Sequence, residues 1–185
     1  MSSLQKWIRL DSCWALDNPW CRVRQDTVQL PNGRVVDDYF VHVRPDIALV
    51  LPITADERVI FVRQYRHGIA EILLELPAGT FDAGQENSEA AARRELAEET
   101  GYQGNRFFKI AELFDNPVKN TNRIHLFRAE PVSLNGNQQL DPTEDIDVVP
   151  VSLAEIPAKI AAGEIAVAGT LAALYVGLGE RLKSS

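Results

Sequence analysis

The chain has 185 residues, of which 45% are hydrophobic and 24% are charged, a composition that fits one folded unit with a sizeable core. The net charge is −7, and no run of Lys and Arg is long enough to follow a nucleic-acid backbone or an anionic membrane surface. We therefore expect neither nucleic acid nor a membrane as a partner, although an acidic protein can bind an anionic small molecule through divalent cations.

Targeting and redox features indicate a cytoplasmic protein. Residues 1–20 mix polar and charged side chains into every apolar stretch, so they lack the apolar region of a signal peptide. No apolar run reaches the length of about 18 residues that a membrane span needs. Cys13 and Cys21 lack the spacing of a zinc site, and we expect both to be free, buried thiols.

The first half of the chain is predicted to be mainly antiparallel β-sheet. After a lead with three tryptophans, residues 22–43 form two β-rich runs around Pro31-Asn32-Gly33, and Asn-Gly between such runs is a strong hairpin signal. Residues 47–66 repeat this pattern around a second polar turn at residues 55–58. Two sequential hairpins are therefore expected.

A strand and a capped helix follow. Residues 72–79, ILLELPAG, are predicted to form a strand that is broken by Pro77 and Gly79, with a polar loop over residues 80–86. The helix is predicted to start at Asn87 or Ser88, both good N-caps, with Glu89 in its first turn, and Gly101 suits a left-handed C-cap. Later strands are predicted at 107–113, 123–132 and 145–151, and helical spacing occurs at 152–163 and 170–182. The result is a mixed sheet with helices on its faces.

Three acidic side chains share one face of the predicted helix. Glu95, Glu98 and Glu99 stand at i, i+3 and i+4, so their charges would repel. One interpretation is a solvated face that Arg93 and Arg94 balance. The other is an all-oxygen site for Mg²⁺ or Mn²⁺, built with a backbone carbonyl of the preceding glycine-containing loop.

Residues 79–102 resemble the Nudix box, G-x5-E-x7-R-E-U-x-E-E-x-G-U, in which U is a bulky apolar residue. The positions that match in place are Arg94, Glu95, Leu96, Glu98, Glu99, Gly101 and Tyr102. One residue is inserted in the loop between Gly79 and Glu86, so the first acidic position departs from the pattern.

The resemblance implies a fold, a domain organisation and a metal site. The fold would be an α/β (α+β) Nudix-type α/β/α sandwich with a mixed β-sheet and an N-terminal antiparallel β region. Residues 1–44 would form this N-terminal β region and contribute to a homodimer interface, and residues 45–185 would form the hydrolase domain. Arg94 would orient the carboxylates. The implied metal ligands are Glu95, Glu99, Glu98 and the carbonyl of Ala78, and Glu98 and Glu99 would act in catalysis.

Flanking segments suggest the substrate. The runs VRQYR and ELPAG look like those of the ADP-ribose pyrophosphatase and nucleoside diphosphate sugar hydrolase branch, which implies Mg²⁺-dependent cleavage of ADP-ribose or a related compound to a nucleoside monophosphate and a sugar phosphate. Other substrates, namely GDP-mannose, NADH, FAD or a dinucleoside polyphosphate, remain open. A module that binds a nucleotide without cutting it is a further alternative, although it would usually lack the box carboxylates.

Four residues outside the box are candidate site residues. Arg63 and Arg66 would grip the diphosphate or the ribose, or one of them would form a structural salt bridge with Glu71 or Glu75. Glu75 would pair with an arginine or face a ribose hydroxyl. In the branch, a later loop often supplies the catalytic base or a further metal ligand, and here Glu144 is the candidate, with Asp141 and Asp145 as alternates. A solvated loop acid is the competing interpretation.

Overall fold

The structure, a computed structural model, describes residues 4–179, which fall into two compact units. The first unit comprises the chain up to Pro45 together with Phe114–Asn122, and the second comprises Asp46–Leu113 and the chain from Arg123 onward. No helix within residues 4–179 is both long enough and apolar enough to cross a membrane. The predicted division at residues 44 and 45 stays a prediction.

The first unit is a three-stranded antiparallel sheet in the order β1-β2-β3. Its strands are β1 (Ile8–Asn18), β2 (Cys21–Gln29) and β3 (Val35–Val43). The predicted hairpin between β2 and β3 is confirmed, and Gly33 adopts a φ of 84° in its turn. Residues 114–122 join this unit through backbone groups, because the His42 amide donates to the Lys119 carbonyl at 2.7 Å.

Strand β1 was not predicted, and its exposure contradicts the expectation that both cysteines are buried. All its residues are exposed, so the strand has no buried face in the described structure. Cys13 lies on this strand and is exposed, whereas Cys21 is only partly buried, with its Sγ 3.8 Å from His42 Nε2. Both thiols are free, but neither is buried.

The second unit contains a mixed sheet and the helices. The strands are β4 (Asp46–Thr54), β5 (Arg58–Arg66), β6 (Glu71–Glu75), β7 (Ala78–Phe81), β8 (Tyr102–Gly104), β9 (Phe107–Phe114), β10 (Arg123–Leu134) and β11 (Ile146–Ser152). The helices are α1 (Ser88–Thr100), α2 (Ile156–Ala161), which a 3-10 turn at Leu153–Glu155 precedes, and α3 (Ala168–Leu178). Strand β4 runs parallel to β10 and antiparallel to β7, and β5 pairs antiparallel with β6 and β11.

Side-chain alternation on β4 divides the core between two faces. Ala48 and Val50 belong to the cluster that packs under α1, whereas Leu49 and Leu51 belong to the cluster that packs under α3. Helices therefore cover both faces of the sheet, and the predicted fold class is confirmed.

Helix α1 has the predicted caps. The Asn87 side chain accepts a hydrogen bond from the Ala90 amide at 2.9 Å, and Gly101 ends the helix with a φ of 72°. Pro77 separates β6 from β7 as expected, but the predicted break at Gly79 is wrong, because Gly79 pairs with Ala48 inside the β4–β7 ladder. The predicted helical segment 170–182 extends past residue 179, and its last part lies outside the described residues.

Candidate active site

Glu99 is a buried carboxylate in the last turn of α1. Its residue is only 3% exposed, and its Oε2 accepts a hydrogen bond from the backbone amide of Ala78 at 3.1 Å. Burial raises its pKa to about 8, with a further increase from the charge of Glu95, while the Ala78 amide acts in the opposite direction. Ionised Glu99 is therefore unfavourable in the absence of a compensating cation.

Glu95 lies one helical turn earlier, against the backbone of β7. It is 8% exposed, and burial raises its pKa while the adjacent Arg94 lowers it. A Cβ atom on Gly79 would stand 2.0 Å from Glu95 Oε1. Only glycine at position 79 leaves room for this carboxylate, which is how β7 and α1 come close enough to share a site.

Arg94 connects three carboxylates. Its guanidinium approaches Glu86 at 3.0 Å, Glu95 at 2.7 Å and Glu98 at 3.0 Å. The hydrogen bond with Glu86 makes the largest contribution to raising the pKa of Arg94, and the contacts with Glu95 and Glu98 raise it further. Glu86 contacts Arg94 although one residue is inserted in the preceding loop, where the amides of Gln85 and Glu86 both donate to the Asp82 carbonyl at 2.9 Å and form a compact turn.

The chemistry of these side chains fits a divalent cation. Glu95, Glu98 and Glu99 supply only oxygen atoms, which Mg²⁺ and Mn²⁺ prefer, and burial raises the pKa values of Glu95 and Glu99, so a bound cation would favour their ionised forms. Within residues 4–179, however, no three acidic, histidine or cysteine side chains converge tightly enough to enclose a cation in the present arrangement. Arg94 holds Glu95 and Glu98, whereas Glu99 binds the Ala78 amide, so a cation would compete with Arg94.

Arg66 and Glu75 form the salt bridge that the sequence left as one of two alternatives. Arg66 Nε donates to Glu75 Oε1 at 2.9 Å and Arg66 Nη2 donates to Glu75 Oε2 at 2.7 Å, and Glu75 is 7% exposed. The hydrogen bonds with Glu75 raise the pKa of Arg66. The positive charge of Arg66 in turn lowers the pKa of Glu99. In the described part of the chain, Arg66 Nη1 has no hydrogen-bond partner, so this edge is available to a ligand.

The side chain of Arg63 does not lie with the Arg66–Glu75 pair. It stands three residues before Arg66 on β5, and side chains an odd number of residues apart point to opposite faces of a strand. Its side chain is exposed, and the structure shows no hydrogen bond or ion pair between it and any side chain of residues 4–179.

Glu144 lies in the exposed segment between β10 and β11. Its Oε2 accepts a hydrogen bond from the Asp141 amide at 3.0 Å, and its own amide donates to the Asp141 carbonyl at 2.9 Å. The negative charge of Glu144 makes a minor contribution to the raised pKa of Glu95, Glu99 and Arg66. Neither Asp141 nor Asp145 is among the main groups that act on Glu95 or Glu99.

Sequence reasoning missed Gln138. Its side-chain amide donates to the Glu99 carbonyl at 2.8 Å and to the Ile146 carbonyl at 3.0 Å. A lone glutamine in a polar segment gives no motif or periodicity, so only the folded chain could reveal this contact.

The chain matches two family models and several known proteins. Residues 43–169 match the family model described as NUDIX domain, and residues 7–42 match the model described as nucleoside diphosphate sugar hydrolase N-terminal domain. The chain is 33% identical over 161 residues to the ADP-ribose pyrophosphatase of Bacillus subtilis, and the alignment covers 86% of each chain. It is 32% identical over 164 residues to the methanol dehydrogenase activator of Bacillus methanolicus, with 88% of each chain covered.

A solved structure shows the same fold. The crystal structure of an ADP compounds hydrolase aligns with a TM-score of 0.85 and 24% sequence identity, over 100% of this chain and 98% of that chain.

Proposed function

This chain belongs to the NUDIX family of hydrolases, and on that premise we propose that it is a Mg²⁺-dependent pyrophosphohydrolase of ADP-ribose or a related nucleoside diphosphate sugar. The products would be a nucleoside monophosphate and a sugar phosphate. The observation that carries this proposal is the pair of buried carboxylates Glu95 and Glu99, which stand one turn apart on α1 within the NUDIX match. The match of residues 7–42 and the pyrophosphatase relative support the substrate class.

The metal would be held by Glu95 and Glu99, with Glu98 as a supporting ligand and the Ala78 carbonyl completing the set. When bound, a divalent cation supplies positive charge to the diphosphate oxygens and acidifies the attacking water. Arg94 would position Glu95 and Glu98 through the contacts it already makes. Catalytic function of Glu98 and Glu99 would thus depend on their positions three and four residues after Glu95, which bring each of them next to Glu95 on the helix surface.

Glu144 would act as the general base. One of its carboxylate oxygens caps the Asp141 turn, and Oε1 is left to accept a proton. Water would form the new bond to phosphorus as the bridging P–O bond breaks, and the proton of the water would pass to Glu144.

Arg66 would bind the substrate diphosphate through its Nη1 edge. Glu75 would act on the substrate through Arg66, because it holds the other edge of the guanidinium in a bidentate pair. Arg63 would not join this group, since it lies on the opposite side of β5.

The first experiment is a hydrolysis panel. The protein is stripped with EDTA, reloaded with Mg²⁺, Mn²⁺ or Ca²⁺, and incubated with ADP-ribose, GDP-mannose, NADH, FAD and a diadenosine polyphosphate, and the products are separated by chromatography. We expect AMP and ribose phosphate with Mg²⁺, and no turnover with EDTA or Ca²⁺. Preference for another compound would change the substrate but keep the chemistry, and no turnover with any metal would favour a binding module.

Variants of α1 test the assignment within the same assay. Glu99→Gln is expected to lose at least about 100-fold in kcat, because a metal ligand is removed while the side-chain shape is kept. Glu89→Gln is the matched control, since Glu89 belongs to the first turn of the same helix and pairs with Arg93 instead. Near-full activity of Glu99→Gln would refute the metal assignment.

We also propose a homodimer that forms through the first unit. Large apolar side chains on β1 and its flanks are exposed, and a patch of this kind is typical of an interface. They are Trp7, Ile8, Leu10, Trp14, Leu16 and Trp20.

Sedimentation at micromolar concentration should give twice the chain mass, and Leu10→Glu with Leu16→Glu should give the monomer. Tyr175→Glu, an exposed site on α3, is the control. The cytoplasmic location stays a prediction.

A further inference from the structure

The segment that carries Glu144 is attached to the end of α1. The amides of Asn135 and Gly136 donate to the Gly101 carbonyl at 3.0 and 3.1 Å, and the Gln139 amide donates to the Glu98 carbonyl at 2.8 Å. The last carbonyls of a helix have no partner within the helix. The segment between β10 and β11 therefore supplies the hydrogen bonds that α1 lacks, although its own residues are mostly exposed.

The side chain of Gln138 adds two hydrogen bonds to those made by the backbone, and they connect α1 with β11. Its Nε2 donates to the Glu99 carbonyl at 2.8 Å and to the Ile146 carbonyl at 3.0 Å, so both amide protons are used. Glu99 also carries the buried carboxylate of the site, and Ile146 is 5% exposed and begins β11. The loop 139–145 is thus closed at its base between α1 and β11.

Glu144 lies within this closed loop, two residues before Ile146, and its turn is fixed by the two hydrogen bonds with Asp141. We infer that Gln138 is a positioning residue, which anchors the loop 139–145 to the last turn of α1 and thereby holds the Glu144 carboxylate at the end of the helix that carries Glu99. This inference rests on the proposed function for the part that Glu144 plays in the reaction.

The test compares two neighbouring glutamines. Gln138→Ala removes both hydrogen bonds, and Gln138→Glu keeps the shape but loses the donor. Gln139→Ala is the control, because Gln139 contacts α1 through its backbone amide, which the substitution leaves in place. We expect both Gln138 variants to lower kcat between about 10-fold and 100-fold with KM within about twofold, since misplacing a catalytic group affects turnover more than binding. Gln139→Ala should retain both constants.

Two further measurements separate anchoring from a general loss of stability. Hydrogen exchange of the Gln139 and Glu144 amides should be faster in Gln138→Ala, while exchange in β4 stays unchanged. Glu144→Gln alone should lower kcat, and adding Gln138→Ala should lower it little further, because both changes act through one group.

The possible failures are distinguishable. Full kcat in Glu144→Gln would overturn the assignment of Glu144 as the base. Unchanged amide exchange and full kcat in Gln138→Ala, together with a loss of turnover in Glu144→Gln, would overturn the positioning inference and leave the proposed function standing. A kcat loss in the double variant equal to the product of the two single losses would also overturn the inference.

Discussion

Glu99→Gln should stabilise the metal-free protein while it abolishes activity. The pKa of Glu99 is raised from 4.5 to about 8. A carboxyl with a raised pKa in the folded state favours folding when it is protonated, so its destabilising effect is absent below pH 4.5 and grows until the pH exceeds about 8. One pKa unit corresponds to about 1.4 kcal/mol, so the full effect is at most about 5 kcal/mol.

The same linkage gives the size of the effect at two practical pH values. Ionisation of Glu99 should cost roughly 1 kcal/mol at pH 5.5 and roughly 4 to 5 kcal/mol at pH 8.5, a difference of about 3 kcal/mol. Glutamine does not titrate, and its oxygen can still accept from the Ala78 amide. Glu99→Gln should therefore be more stable than the parent chain in EDTA, and by a clearly larger margin at pH 8.5.

The assay is urea unfolding in EDTA, followed by far-ultraviolet circular dichroism at both pH values. Glu98→Gln serves as the control, because the Glu98 side chain is 39% exposed and does not carry a comparable burial cost. Saturating Mg²⁺ should reverse the order, since it should bind the parent, which has one more ionised carboxylate ligand, more tightly than the variant. An unfolding free energy of Glu99→Gln that exceeds the parent by the same amount at both pH values would refute the reasoning, because the gain would then be unrelated to ionisation.

Three further predictions concern the same site. Gly79→Ala should lower Mg²⁺-dependent kcat by at least about 100-fold, because the new Cβ displaces the Glu95 carboxylate. Gly84→Ala is the control and should retain activity, because the nearest atom to its new Cβ is 3.3 Å away. Equal kcat in the two variants would contradict the role of Gly79. Arg66→Lys should raise KM about 10-fold, because Lys cannot bind Glu75 through two parallel hydrogen bonds, and an unchanged KM would exclude Arg66 from substrate binding. Mg²⁺ should raise the melting temperature of the parent chain more at pH 8.5 than at pH 5.5, because ionised carboxylates bind the cation. Differential scanning fluorimetry measures this increase. An increase that is the same at both pH values would argue against Glu95 and Glu99 as the Mg²⁺ ligands.

Local signals account for most of what the sequence could predict. The caps of α1 at Asn87 and Gly101 act within a few residues, and so does the turn at Gly33. The spacing of Glu95 and Glu99 on one helix face follows directly from helical periodicity. These interactions need little from the rest of the fold, which is why they were predicted at the right positions.

The sequence by itself therefore determined the capped acidic helix, the β2–β3 hairpin, the mixed α/β fold and the family resemblance. Only the tertiary structure decided that the Gly79 backbone lies against Glu95, that Arg66 pairs with Glu75, and that Gln138 links α1 to β11. Strand β1 likewise became visible only in its pairing with β2. The physical reason is that these contacts join residues far apart in the chain, and packing and strand register, which no short stretch encodes, determine which side chains meet.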